Sequence, residues 1–184
     1  MNAPRTLPRR DAAEELAALR SGARLLDARP LDLRALVAVH RRLLPPTHPY
    51  RGRLRDRGAV IRLDGRAHRR PPPPDEALRL TEDALGRLRH KGRRPELAGE
   101  TMGRLTAAHP FLDGNGRVAL TVASWLLIGG GFSLRDDPIR YCRERKPELY
   151  RALAANDRAP PAPEWERFFA QLVDACFDPP GGHG

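Results

Sequence analysis

Cysteine, lysine and aromatic residues are scarce in this 184-residue chain, and each shortage excludes something. Cys142 and Cys176 are the only cysteines and no CxxC spacing exists, which removes thiolate metal ribbons and dithiol redox motifs; both lie in apolar helical settings and read as core residues rather than a disulfide or metal site. The longest apolar stretch, 118–132, contains threonine, serine and three consecutive glycines. It falls short of the ~20 residues that span a bilayer, so no membrane segment is expected. The first ten residues hold three arginines with no apolar segment behind them, which is not a secretory signal, and the cytoplasm is the expected compartment. Because Lys91 and Lys146 are the only lysines, the net charge of +10 rests on arginine. With abundant alanine, proline and glycine, that fits GC-rich coding and a solvated basic surface, or long-range attraction of a nucleotide or acidic partner. Aromatics make up 5 % of the chain and do not interleave with the basic residues, and no helix-turn-helix pattern stands out, so only the charge favours a nucleic-acid-binding module.

What is present suits one globular domain with a single core: 40 % hydrophobic and 30 % charged residues. Helical periodicity dominates. Asp11 with Glu14 forms a capping-box pattern before a helix over 12–21, with Gly22 as its expected stop. Asp32 caps a second helix whose apolar face carries His40, a position suited to a hydrogen-bonded core histidine or to a catalytic one. Asp64-Gly65 between short extended runs predicts a hairpin. The tetraproline from Pro71 reads as a rigid connector, or as an extended ligand for a partner module, with Asp75 capping the helix that follows. Further helices are expected over 95–108 and 117–128, then one begun by Asp137-Pro138 and interrupted at Pro147. In the last helix Trp165, Phe168, Phe169, Leu172, Val173 and Cys176 share one face. The fold class is therefore all-α with one short hairpin.

Between the two central helices lies His109-Pro110-Phe111-Leu112-Asp113-Gly114-Asn115-Gly116-Arg117. A glycine-rich loop opening a helix is an anion site, because free N–H groups and the positive end of the helix dipole favour phosphate. His109 can take a proton near neutral pH. Asp113 suits Mg²⁺, which prefers one or two carboxylates with phosphate oxygens and water. Asn115 and the loop amides can hold phosphate oxygens, and Arg117 can neutralise charge as a phosphoryl group is displaced. The residues alone point to phosphoryl or nucleotidyl transfer to a hydroxyl, the plainer alternative being a solvent-facing helix start with a capping Asn and a turn Asp.

HPFLDGNGR at 109–117 resembles the signature of the Fic family, HxFx(D/E)GNGRxxR. Gly52-Arg53-Leu54-Arg55, Val60-Ile61, the Asp64-Gly65 hairpin, His68 and the prolines from Pro71 resemble the family's flap region, and Tyr150-Arg151-Ala152-Leu153 leading to Trp165 resembles its last part. The resemblance covers about residues 31–173. It implies a Fic-like helical core with a β-hairpin flap as a catalytic domain over 31–177; before it, 1–30 is an extension with one helix, and after it composition marks the Gly/Pro-rich 178–184 as a disordered tail. It implies ATP or another nucleoside triphosphate as co-substrate with Mg²⁺, and transfer of the nucleotidyl group to a hydroxyl of a protein or small molecule. By position, His109 would be the base and Phe111 the loop's anchor in the core. Asp113 would bind the metal, Gly114, Asn115 and Gly116 would cradle the phosphates, and Arg117 would stabilise the transferring group. The hairpin around Ile61 and Arg66 would hold the target by strand addition. Kinase-like relatives carry Lys at the position of Gly116 and phosphocholine-transferring relatives carry Ala at that of Gly114, so this loop keeps the nucleotidyl-transfer form.

One position departs from the signature: its second arginine is Leu120 here. That arginine contacts the donor's terminal phosphate and pairs with an autoinhibitory glutamate, whose pattern (S/T)xxxE(G/N) is also absent, including around Thr6 and Ser21. Losing a charged hydrogen bond worth ~1.5–3 kcal/mol predicts weaker triphosphate binding by one or two decades, or a changed donor such as a diphosphate-linked small molecule. Arg53 and Arg55 are candidate replacements.

Overall fold

The computed structural model describes residues 11–63 and 66–181, without the side chains of 62–68. Among these residues the chain forms eight α-helices and two small antiparallel strand pairs. Helix α1 (Ala12–Asp27) opens on the expected capping box of Asp11 and Glu14. It runs through Gly22, which is a packing position and not a stop: a Cβ there would meet Thr121 at 3.0 Å and Val39 at 3.4 Å. Asp32 caps α2 (Leu33–Leu43) by accepting from the Ala35 N–H. The predicted hairpin is present as β1 (Ile61–Leu63) and β2 (Arg66–Arg69), with an irregularity between Ile61 and Arg62, while its Asp64-Gly65 turn lies outside the described residues. Helix α3 (Pro74–Lys91) starts one residue ahead of Asp75. Pro73 is its N-cap and Pro74 its first residue, so proline geometry supplies the start and Asp75 sits in the first turn, opposite the helix dipole.

The single helix expected over 95–108 is a 3₁₀ turn (Pro95–Leu97) followed by α4 (Ala98–Ala108). Helix α5 (Asn115–Gly129) begins two residues before Arg117, and every residue from Val118 to Leu127 is buried. A helix apolar all round belongs at the centre of a domain, and α1, α2 and α4 pack around this one. Gly99 and Gly103, one turn apart on α4, let aromatic rings come close: a Cβ would stand 2.9 Å from Phe169 at Gly99 and 3.2 Å from Trp165 Nε1 at Gly103. Trp165 donates its indole N–H to the Gly99 carbonyl at 3.0 Å.

Asp137 caps α6 (Pro138–Glu144), and α7 (Lys146–Arg158) restarts at Pro147. After α8 (Pro163–Cys176), β4 (Phe177–Asp178) pairs with β3 (Ser133–Leu134). Asp178, the first residue of the stretch that composition marks as tail, is thus partnered, and 182–184 lie outside the described residues. Cys142 and Cys176 are free thiols, pushed up by burial to about 12 and about 11, as core cysteines should be. Among the described residues no helix is long and apolar enough to cross a membrane.

Candidate active site

The loop from His109 to Gly114 is held in one shape by its own backbone. His109 caps α4 in the left-handed region, with φ 55° and ψ 55°, and its N–H donates to the Leu105 carbonyl at 3.2 Å. A non-glycine residue there is uncommon. Phe111, fully buried, anchors the middle of the loop. Asn115 brackets it: its side-chain Oδ1 accepts from the Phe111 N–H at 2.9 Å and its Nδ2 donates to the Phe111 carbonyl at 2.8 Å. The Asn115 amide side chain is therefore spent on the loop, which leaves its backbone N–H as its contribution to an anion. Gly114 takes φ 81°, and a Cβ there would stand 3.2 Å from the His40 ring, whereas a Cβ on Gly116 would meet open space.

Two histidines outside the motif fix Asp113. His40 is the hydrogen-bonded core histidine. Its Nδ1 accepts from the Gly52 N–H at 2.8 Å, so its Nε2–H donates to the Asp113 carbonyl at 2.9 Å. The ring lies parallel to Phe111 at 3.9 Å between centroids. Burial pushes it down from 6.5 to about 4, so it stays neutral in the folded protein at pH 7. His48 donates from Nε2 to Asp113 Oδ2 at 3.1 Å, and the Gly114 N–H donates to Oδ1 at 2.7 Å. The carboxylate remains 37 % exposed.

The surroundings of His109 are cationic. The guanidinium of Arg55, itself 3 % exposed, gives its N–H groups to the carbonyls of His109 (2.7 Å), Arg57 (3.2 Å) and Pro72. Arg69, at the foot of β2, donates to the carbonyls of Ala107 (2.9 Å) and Thr106 (3.4 Å) and pairs with Asp157 at 2.5 Å. Burial first, then the charges of Arg69 and Arg55, push His109 down from 6.5 to about 4, against the opposing Thr106 carbonyl and Asp113. Its Nδ1 is buried with no partner in hydrogen-bonding geometry. Arg55 is consequently committed to carbonyls and does not replace the arginine absent at 120.

Arg117 reaches Asp113 Oδ2 at 3.5 Å and Glu15 Oε1 at 3.7 Å. Glu15, on α1, also pairs with Arg143 of α6. Gly114 gives α5 no side-chain cap, and the N–H groups of Asn115, Gly116 and Arg117 have no acceptor inside the helix. A neutral imidazole, a partly exposed carboxylate, an open helix start and a guanidinium therefore meet at one place, and the seven motif residues given roles in the sequence all lie on this loop and helix start. Three contributors were missed, and a fourth, His40, was read only as a core or catalytic histidine. His40 and His48 carry no local pattern that separates them from core or loop histidines. Arg143 is one arginine among many. Glu15 had a faint signal: Asp11 stands four residues before it, where the inhibitory pattern has Ser or Thr, and Leu16 stands where that pattern has Gly or Asn.

The residues fit Mg²⁺ in one manner. Among the described residues no group of three or more His, Cys, Asp or Glu side chains forms a cage. Asp113 offers one carboxylate with free lone pairs beside an anion site, the arrangement in which this ion takes most of its ligands from phosphate and water.

Comparison with known proteins bears on the fold. A Fic family protein from Desulfovibrio desulfuricans G20 superposes with a TM-score of 0.69 at 24 % identity over 93 % of this chain. The chain spans 54 % of that protein's length. BepC from Bartonella tribocorum, solved with bound AMPPNP, superposes with a TM-score of 0.59 at 18 % identity, covering 89 % of this chain and 84 % of its own. IbpAFic2, solved as a histidine-to-alanine variant in complex with adenylylated Cdc42, gives 0.59 at 18 % identity over 90 % of this chain and 55 % of its own. These likenesses establish the fold. The sequence profile of the Fic/DOC family matches residues 30–127, more than half of the chain, including the loop, α4 and most of α5, so this protein belongs to the Fic/DOC family.

Proposed function

We propose that this chain is a Fic-type nucleotidyltransferase that moves a nucleoside monophosphate from a nucleoside triphosphate to a hydroxyl of a protein or small molecule. The observation that carries the reading is the open start of α5, with the neutral imidazole of His109 on its entry side and Arg117 in its first turn. The amides of Asn115, Gly116 and Arg117 receive phosphate oxygens, and Gly116 keeps their approach clear of a side chain. The target hydroxyl gives its proton to His109 as its oxygen bonds to the α-phosphorus; the bond from that phosphorus to the bridging oxygen breaks, and pyrophosphate leaves. Arg117 and the helix amides stabilise the charge that develops on the phosphoryl oxygens. Asp113 is the residue that would hold Mg²⁺, which when bound neutralises phosphate charge. At about 4 the imidazole on its own is a weak base. A polyanionic donor acts against Arg55 and Arg69 and lifts it toward the operating pH.

The β1–β2 pair around Ile61 and Arg66 has no third strand among the described residues, which suits addition of a target strand to its edge. BepC's bound AMPPNP and IbpAFic2's adenylylated partner are consistent with a nucleotide donor and a protein target. Incubation with each labelled nucleoside triphosphate and a cell lysate should yield labelled product. Equal labelling by His109→Ala would overturn the role given to His109. Leu120 favours a second reading, a Fic-fold enzyme with a changed donor or reaction, and calorimetry with ATP, GTP, CTP, UTP and nucleotide-linked metabolites separates the two.

A further inference from the structure

Leu120 is 3 % exposed and faces the core, so that turn of α5 presents no charge to the loop. A second guanidinium nevertheless stands close by, on a different element. Arg143, in the last turn of α6, pairs through Nη2 with Glu15 Oε2, while Arg117 lies 3.7 Å from Oε1 of the same carboxylate. The two arginines are thus one carboxylate apart, and Arg117 also reaches Asp113. A tie between α1 and α6 would need only one arginine and would be neutral. Here two guanidinium groups share the Glu15 carboxylate, and with Asp113 on Arg117 the four charges balance. Glu15 is 3 % exposed, whereas the Arg143 side chain is 49 % exposed. A guanidinium has five N–H donors, so Arg143 keeps donors for an incoming anion after bonding Glu15.

We propose that Arg143 is a donor-binding residue: it holds a phosphate beyond the one that Arg117 neutralises, supplying from α6 the guanidinium that α5 lacks. This rests on the polyphosphate-donor reading above. It makes the site discriminate by phosphate chain length, since a monophosphate occupying the α5 amides and Arg117 ends short of Arg143. Planar N–H pairs matched to phosphate oxygens suit arginine better than lysine there.

The test is equilibrium binding to the full chain with Mg²⁺, using ATP, ADP and AMP, and inorganic tripolyphosphate as a probe without a nucleoside. Glu15→Gln serves as the background, so that removing Arg143 neither strands a buried carboxylate nor tightens its hold on Arg117. Within it, Arg143→Ala should weaken ATP by about 10- to 100-fold and leave AMP unchanged. Arg143→Lys, which keeps the charge, should lose less, and it serves as the readout if circular dichroism shows the alanine variant unfolded. Unchanged ATP affinity on losing Arg143, or equal losses for ATP and AMP, would overturn the proposal, the latter by showing a role confined to placing α6. If the native chain binds tripolyphosphate through Arg143 but no nucleotide, the nucleotide donor is wrong and the Arg143 assignment stands. If it binds neither, both fall.

Discussion

Replacing His40 with phenylalanine keeps a ring stacked on Phe111 and deletes two hydrogen bonds, those to the Gly52 N–H and the Asp113 carbonyl. Each of these half-buried partners is left without its bond at about 1–2 kcal/mol, so the variant should be about 3 kcal/mol less stable at pH 7.5. The gap should not stay constant with pH. In the folded chain His40 titrates at about 4, against 6.5 when unfolded. Between those values the unfolded state binds a proton that the folded state refuses. This part of the native protein's stability is complete above 6.5, declines as the pH falls, and is used up near 4, about 3 kcal/mol in all. Phenylalanine has no such loss. His109 titrates at a similar depressed value in both proteins and cancels in the difference. Urea unfolding, followed by the fluorescence of Trp125 and Trp165 and by far-ultraviolet circular dichroism, should show the gap shrinking below about 1 kcal/mol at pH 4.5. An equal gap at both pH values would refute the neutral, buried His40; no gap at pH 7.5 would refute the two hydrogen bonds as what holds the loop.

Three further outcomes follow from the site. His109→Ala should lower label transfer by about 10²-fold or more while leaving the unfolding transition in place, and a matching loss of stability would mean that the ring is structural. Because burial first, and then Arg69 and Arg55, push His109 down to about 4, the acid limb of kcat/KM for the native enzyme should lie below pH 5, and a limb near 6.5 would contradict that buried, cationic setting. The two loop glycines should separate by mechanism. Gly114→Ala forces φ 81° on an L-residue and presses on His40, costing about 1–2 kcal/mol. Gly116→Ala meets open space and should spare stability while weakening nucleotide binding, a contrast read by thermal melts beside calorimetry.

The helices were legible because apolar spacing and caps are local. Asp11, Asp32 and Asp137 each bond an N–H within three residues of themselves, so their chemistry is visible in a short window. What stayed hidden depends on partners distant in sequence. Gly22 looks like a helix stop until Thr121 and Val39 are known to press on it. The β3–β4 pair joins two residues from each of two segments more than forty apart, too short to leave an alternation. The motif loop was legible as chemistry, yet Asn115, read as a phosphate holder, proved to brace Phe111 with its side chain, a distinction that only the bond pattern makes. His48 and Glu15 reach the site from 65 residues before Asp113 and from the first helix, beyond any local spacing rule.

Arg55 has one more consequence. Its buried guanidinium spans the carbonyls of His109 and Pro72, and the main chain beside it is stitched to the loop by the Arg55 N–H on the Pro110 carbonyl at 2.9 Å and the Leu54–Phe111 bridge. With Arg69 fastening the foot of β2 to the end of α4, the hairpin and the histidine move as one piece. On the proposed function, a target strand laid along that hairpin would be measured against a fixed ruler. If the proposed strand addition holds, the residue modified would be set by how many positions along the strand its hydroxyl lies from the edge pairing, so a one-residue shift in the target should turn the hydroxyl to the opposite face and out of reach.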